Sequence, residues 1–156
     1  MNKTAQSSFV YVTFIRTTPE RLWSALTSAD FMKEYWLGCH VKTEWKVGAQ
    51  WQLIYPDGRI TDTGEIVELE PQKRLVLKWQ NEFKPELRQE GASRLTYLLE
   101  PEGDMVRLTV HHEIDRPQSR LIEAVSGGWP LILASLKSLI ETGESLAATR
   151  EWSKGA

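Results

Sequence analysis

Phe9 to Arg16 is dense in β-branched and aromatic residues, a pattern that predicts a strand with both faces at least partly covered. Thr17-Thr18-Pro19-Glu20 then opens a helix. Thr18 suits the cap, Pro19 the first helical position, where no donor is lost, and Glu20 the positive helix end. Leu22, Trp23, Ala25 and Leu26 carry that helix to about Thr27, and Ser28-Ala29-Asp30 starts a second one that ends near Gly38. From Val41 to Glu113 short apolar segments alternate with turns at Pro56-Asp57-Gly58, Glu70-Pro71-Gln72-Lys73 and Pro101-Glu102-Gly103-Asp104, the rhythm of an antiparallel meander. Asn81 to Gly91 is polar and reads as a loop long enough to be mobile. On the strand from Met105 to Glu113, Val106, Leu108, Val110 and His112 share one face, so His112 falls on the apolar side.

After Asp115-Arg116-Pro117 the period turns helical. Leu121, Ile122 and Val125 begin it, and Gly127-Gly128 are expected to interrupt or bend it. Trp129, Ile132, Leu133, Leu136, Leu139 and Ile140 then form a continuous apolar stripe to Gly143. Only the sheet offers enough surface to bury that stripe, which gives an α+β two-layer design.

Composition narrows the class. The 156 residues, 41% hydrophobic and 26% charged, fit a single globular domain. A net charge of −2 concentrates no basic face, so nucleic acid is not expected as a partner. No apolar run approaches bilayer length and Met1 to Ser8 carries no apolar leader, so neither a membrane nor secretion is expected. Cys39, the sole cysteine, makes an intramolecular disulfide impossible and fits a reducing, cytoplasmic setting. Tryptophan is the anomaly, with seven at positions 23, 36, 45, 51, 79, 129 and 152.

Three stretches resemble a known superfamily. They are Thr18-Pro19-Glu20-Arg21-Leu22-Trp23 with the later Tyr35-Trp36, then Gly64-Glu65-Ile66-Val67-Glu68-Leu69-Glu70-Pro71 running on to Trp79, and Leu108-Thr109-Val110-His111-His112 followed by Gly127-Gly128-Trp129. Their order is similar to the START-like (SRPBCC) helix-grip superfamily, in the branch of the C-terminal domain of the heat-shock protein 90 ATPase activator. The resemblance covers about residues 9–143, leaving 1–8 and 144–156 as tails of a single START-like domain. It implies a curved antiparallel sheet wrapped around a long C-terminal helix, two short helices between the first two strands, and a hydrophobic cavity between helix and sheet. One departure is Gly48-Ala49 where members often pair glycines, and Ala49 does not take positive φ cheaply.

The aromatic residues Trp36, Trp51, Tyr55, Trp79, Tyr97 and Trp129, with Leu133 and Leu136 on the helix, read either as core packing or as the wall of that cavity. His112 reads as a ligand contact or acid–base group, or as a satisfied core histidine. His111, His112 and Glu113 alternate across a strand and do not converge on a metal, and Cys39-His40 has the same geometry, so neither metal nor cofactor is expected. Asp57, Asp62 and Asp104 read as turn residues. The features favour non-enzymatic binding of a small hydrophobic or aromatic molecule, with no catalytic residue assigned. Two alternatives stay open, a cyclase- or hydrolase-like enzyme using His112 and a chaperone-interacting protein, and an edge strand or Trp152 offers a surface for a homodimer.

Overall fold

The structure, a computed structural model, describes residues 6–150. Trp152, offered above as a dimer contact, lies outside the described residues. The first helix forms as its cap residues dictate, with the Thr18 hydroxyl accepting from the Arg21 amide at 3.2 Å and Pro19 following it. Ser28 ends this helix, α1 (Pro19–Thr27), and caps the next, α2 (Ala29–Tyr35), through the Phe31 amide.

Seven strands, β1 (Ser7–Ile15), β2 (His40–Lys42), β3 (Gln50–Ile54), β4 (Ile60–Glu70), β5 (Arg74–Asn81), β6 (Ser93–Glu102) and β7 (Met105–Ile114), form one curved antiparallel sheet in the order β1-β7-β6-β5-β4-β3-β2. The two short helices lie between β1 and β2, a third, α3 (Pro85–Arg88), sits between β5 and β6, and α4 (Arg120–Thr142) packs along the sheet. This is the α+β helix-grip arrangement. Leu133 and Leu136 from α4 bury against Leu108, Val110 and Leu95 in one continuous core. No helix among the described residues is long and apolar enough to cross a membrane.

Gly64 explains how one tryptophan fits. It pairs with Trp51 on one side and Trp79 on the other, and the Trp51 indole N–H crosses above it to donate to the Lys78 carbonyl at 2.9 Å. A Cβ at position 64 would lie 1.8 Å from that oxygen and 2.5 Å from the indole nitrogen, so only glycine leaves the bond intact.

Several expectations change. α4 runs unbroken through Gly127, Gly128 and Pro130. Two glycines and a proline cost about 5 kcal/mol in a helix interior, and burying Trp129, Ile132, Leu133, Leu136, Leu139 and Ile140 at roughly 1.5–3 kcal/mol each exceeds that cost. The glycines do not mark close approach either, since a Cβ on Gly127 or Gly128 would meet nothing within 4 Å. Positive φ near the third strand falls on Gly48, at +89°, and Ala49 keeps an ordinary backbone.

The segment from Asn81 to Gly91 is anchored at three points. Asn81 Oδ1 accepts from the Phe83 and Lys84 amides, Leu87 buries with Ile114, Leu121 and Ile122, and the Glu90 carboxylate accepts from the Ser119 hydroxyl and the Arg120 amide at the start of α4. Burial raises the Glu90 carboxyl, but the hydrogen bonds from Ser119, Arg120 and Leu121 outweigh it and hold the group below the usual carboxylate range. β1, expected to be at least partly covered on both faces, is covered on one: Val10, Val12 and Phe14 alternate onto the other face and are exposed among the described residues.

Candidate functional site

The aromatic side chains converge at one end of the layer between α4 and the sheet. Trp36 stacks on Trp79 with ring centroids 6.0 Å apart and meets Trp129 edge-on at 5.3 Å, while Trp51 meets Trp79 at 4.8 Å and Tyr97 meets Trp129 at 5.9 Å. Each of three indole N–H groups is given a fixed acceptor. Trp51 donates to the Lys78 carbonyl, Trp79 to Asp62 Oδ2 at 2.7 Å, and Trp129 to His112 Nδ1 at 3.2 Å. A buried indole without such a partner would forfeit a desolvated donor, so these bonds lock the orientation of the rings.

His112 is fully buried and both its nitrogens are engaged. Because Nδ1 accepts from Trp129, the neutral ring carries its proton on Nε2 and donates to Ser93 Oγ at 2.7 Å, and Ser93 in turn donates to the Trp79 carbonyl at 2.8 Å. Burial, with a smaller contribution from His111, pushes its pKa down to about 4. His112 is thus the satisfied core histidine, positioning Trp129, and it has no free nitrogen to offer a substrate. His111 points outward and pairs with Glu113.

Beside the tryptophans lies a cavity of about 230 Å³. Trp36, Trp79 and Trp129 wall it on one side, Tyr55 and Phe83 add a pair of rings in edge-to-face contact at 5.6 Å, and the first half of α4 supplies Leu121, Val125, Gly128 and Ile132. Of the nine residues singled out from sequence, Trp36, Tyr55, Trp79 and Trp129 line it, and Trp51, Tyr97, His112, Leu133 and Leu136 do not. The deep space that Trp51 and Tyr97 border is packed down to about 10 Å³, room for no more than a water. The helix-sheet interior is therefore closed at its centre and open at one end.

Two wall features went unread in the sequence. Asp62 is not a turn residue: it sits within β4, is 7% exposed, and accepts from the Thr61 hydroxyl at 2.7 Å, the Trp79 indole and Asn81 Nδ2 at 3.3 Å. Burial raises its pKa and those three bonds oppose the rise. Turn-like composition at Asp57 masked it, although an aspartate at an inward position of a strand alternation is itself a signal. The second feature is the turn between α2 and β2. Leu37 takes φ +57° there, a costly conformation for leucine, held by its amide donating to the Thr149 carbonyl at 2.6 Å. Thr149 is anchored to Ser135 of α4, so residues 144–150, expected to be a tail, form a strap that fixes the turn carrying Trp36 and Leu37.

Cys39, also in the wall, has its thiol pushed up to about 12 by burial and then by Asp62 and Asp57, which leaves it protonated and a poor nucleophile. Among the described residues no group of three histidine, cysteine or acidic side chains could hold a metal ion. Arg59 lies 5.0 Å from the Phe83 ring and 5.6 Å from the Tyr55 ring, pinned by Asp57, and Lys84 lines the cavity.

Residues 16–141 match the family model described as Activator of Hsp90 ATPase homolog 1-like protein. No curated protein matches the chain. Among solved structures, a protein from Mesorhizobium loti is 25% identical over 86% of this chain and 97% of its own, with a TM-score of 0.74. The Aha1 dimer from Colwellia psychrerythraea is 18% identical over 89% of this chain and 99% of its own (TM-score 0.73). An HSP90 activator from Plasmodium falciparum is 21% identical over 85% and 95% (TM-score 0.69).

Proposed function

The chain belongs to the Activator of Hsp90 ATPase homolog 1-like family, and from that premise we propose that it binds a small, largely apolar or aromatic molecule in the cavity at the end of α4. The observation that carries this reading is a cavity of about 230 Å³ walled by three tryptophan rings, which the described residues leave unfilled while they pack the central core tight. A cavity of about 150 Å³ holds benzene, so this one suits two fused rings. Gly128 supports the reading, because it borders the cavity and any side chain there would project into open space.

The test is calorimetric titration with 2-naphthol. Saturable binding with a negative heat-capacity change and a raised melting temperature is expected for the native chain. Gly128→Leu, which fills the opening while improving helix propensity, should abolish that binding without lowering the melting temperature. Equal binding to both chains, or to neither, contradicts the proposal.

A second reading, contact with a chaperone, is supported by the description of the family and by the likeness to the Plasmodium falciparum HSP90 activator. Under it, adding the chain stimulates the ATPase activity of an Hsp90-type chaperone; an unchanged rate removes it.

A further inference from the structure

We infer that the cavity selects planar ligands of one or two rings that carry a hydrogen-bond donor, and that Asp62 is the residue that selects them by accepting from that donor through Oδ1. The inference rests on the cavity-binding reading and adds its chemistry.

An apolar pocket needs few polar groups to orient a ligand, and among the residues walling this one Asp62 is the buried acidic side chain. Its two oxygens offer about four acceptor positions. Oδ2 uses two, for the Trp79 indole and for Asn81, and Oδ1 uses one, for Thr61. One acceptor position on Oδ1 is left over. All three neighbours donate, so the site is built around an acceptor. A ligand without a donor leaves the remaining lone pair desolvated when it displaces water, and a ligand with one satisfies it.

The surroundings define the rest of the ligand. The faces of Trp36 and Trp79 lie 20° from parallel, and Trp129 stands edge-on, so a flat ring finds both stacking and edge contacts. Lys84 borders the cavity and Arg59 covers the Tyr55 and Phe83 rings, which disfavours a cation and leaves a neutral donor such as a phenolic or indolic group. Asp62 also holds Trp79 in place, so the same carboxylate fixes a ring wall and reads the donor.

Paired probes test this. 2-Naphthol carries a donor, and 2-methoxynaphthalene is the same ring system without it. The native chain should bind 2-naphthol about tenfold tighter or more. Asp62→Asn keeps an acceptor for Trp79 but presents an amide N–H₂ in place of Oδ1, and should bring the ratio to about one. A steric cost of the methyl group would survive in that variant. Should Asp62→Asn not fold, the indole N–H resonance of Trp79 in the native chain gives the second readout, and it should shift on adding 2-naphthol more than on adding the ether.

Equal affinities for both probes overturn the role of Asp62 and leave cavity binding standing. A preference that persists in Asp62→Asn, or a Trp79 resonance that moves equally with both probes, also overturns it. Failure of both probes to bind overturns the cavity reading itself, and this inference with it.

Discussion

At the scale of single residues, buried polar groups hold the aromatic wall, and His112 shows how. Its pKa in the folded chain, pushed down to about 4, lies below the 6.5 of a free histidine. Between those values the unfolded chain binds the extra proton, so stability falls as the pH drops from 6.5 toward 4, and the loss levels off below. Asp62, raised by burial, slopes the opposite way above pH 3.8, so the comparison that isolates His112 is between variants. His112→Gln should flatten the pH dependence of urea unfolding between pH 4 and 6.5, and an unchanged slope would contradict the buried neutral ring. The face on which His112 lies was legible from alternation with Val106, Leu108 and Val110. Its partners were not, because Ser93 and Trp129 come from a distant strand and helix that only the fold brings together.

Elements followed the sequence where a local rule sufficed and departed from it where tertiary packing won. The caps at Thr18 and Ser28 and the hairpin after β6 read directly, because each uses residues within a few positions, although the turn is Gly103-Asp104 alone and Pro101 and Glu102 still pair with Val106 and Met105. The loop from Asn81 to Gly91 did not, since two of its three anchors reach the start of α4: Leu87 on Leu121 and Ile122, and Glu90 on Ser119. The same holds for residues 144–150, whose value as a strap depends on Ser135 and on the strained turn at Leu37. In α4 the two glycines invited a break that the apolar stripe overrides. Gly127 has helical backbone and open space around it, so Gly127→Ala should stabilise the protein by about 0.5–1 kcal/mol in chemical denaturation. A loss of stability would mean that this helix needs a deformation there.

For the whole molecule, the tryptophans divide the layer between α4 and the sheet into a sealed centre and an open end. Trp51 and Tyr97 close the centre, and Trp36, Trp79 and Trp129 face the opening. Sequence identified the set and the two layers between which it lies. It did not distinguish the two halves, because strand parity specifies a face and not the position along the groove, and Asp62 and Phe83 enter only through the pairing of β4 with β5 and the return of the loop after it. Family membership shows the same scaffold, and the cavity at its end is the feature from which a ligand is proposed. The most direct measurement is the crystal structure of the chain with 2-naphthol. The expected result is a ring in the cavity, against the wall of Trp36, Trp79 and Trp129, with its hydroxyl within hydrogen-bond distance of Asp62. An empty cavity, with the probe absent or seated in the polar groove around Gln50, Thr63 and Gln80, would contradict the account.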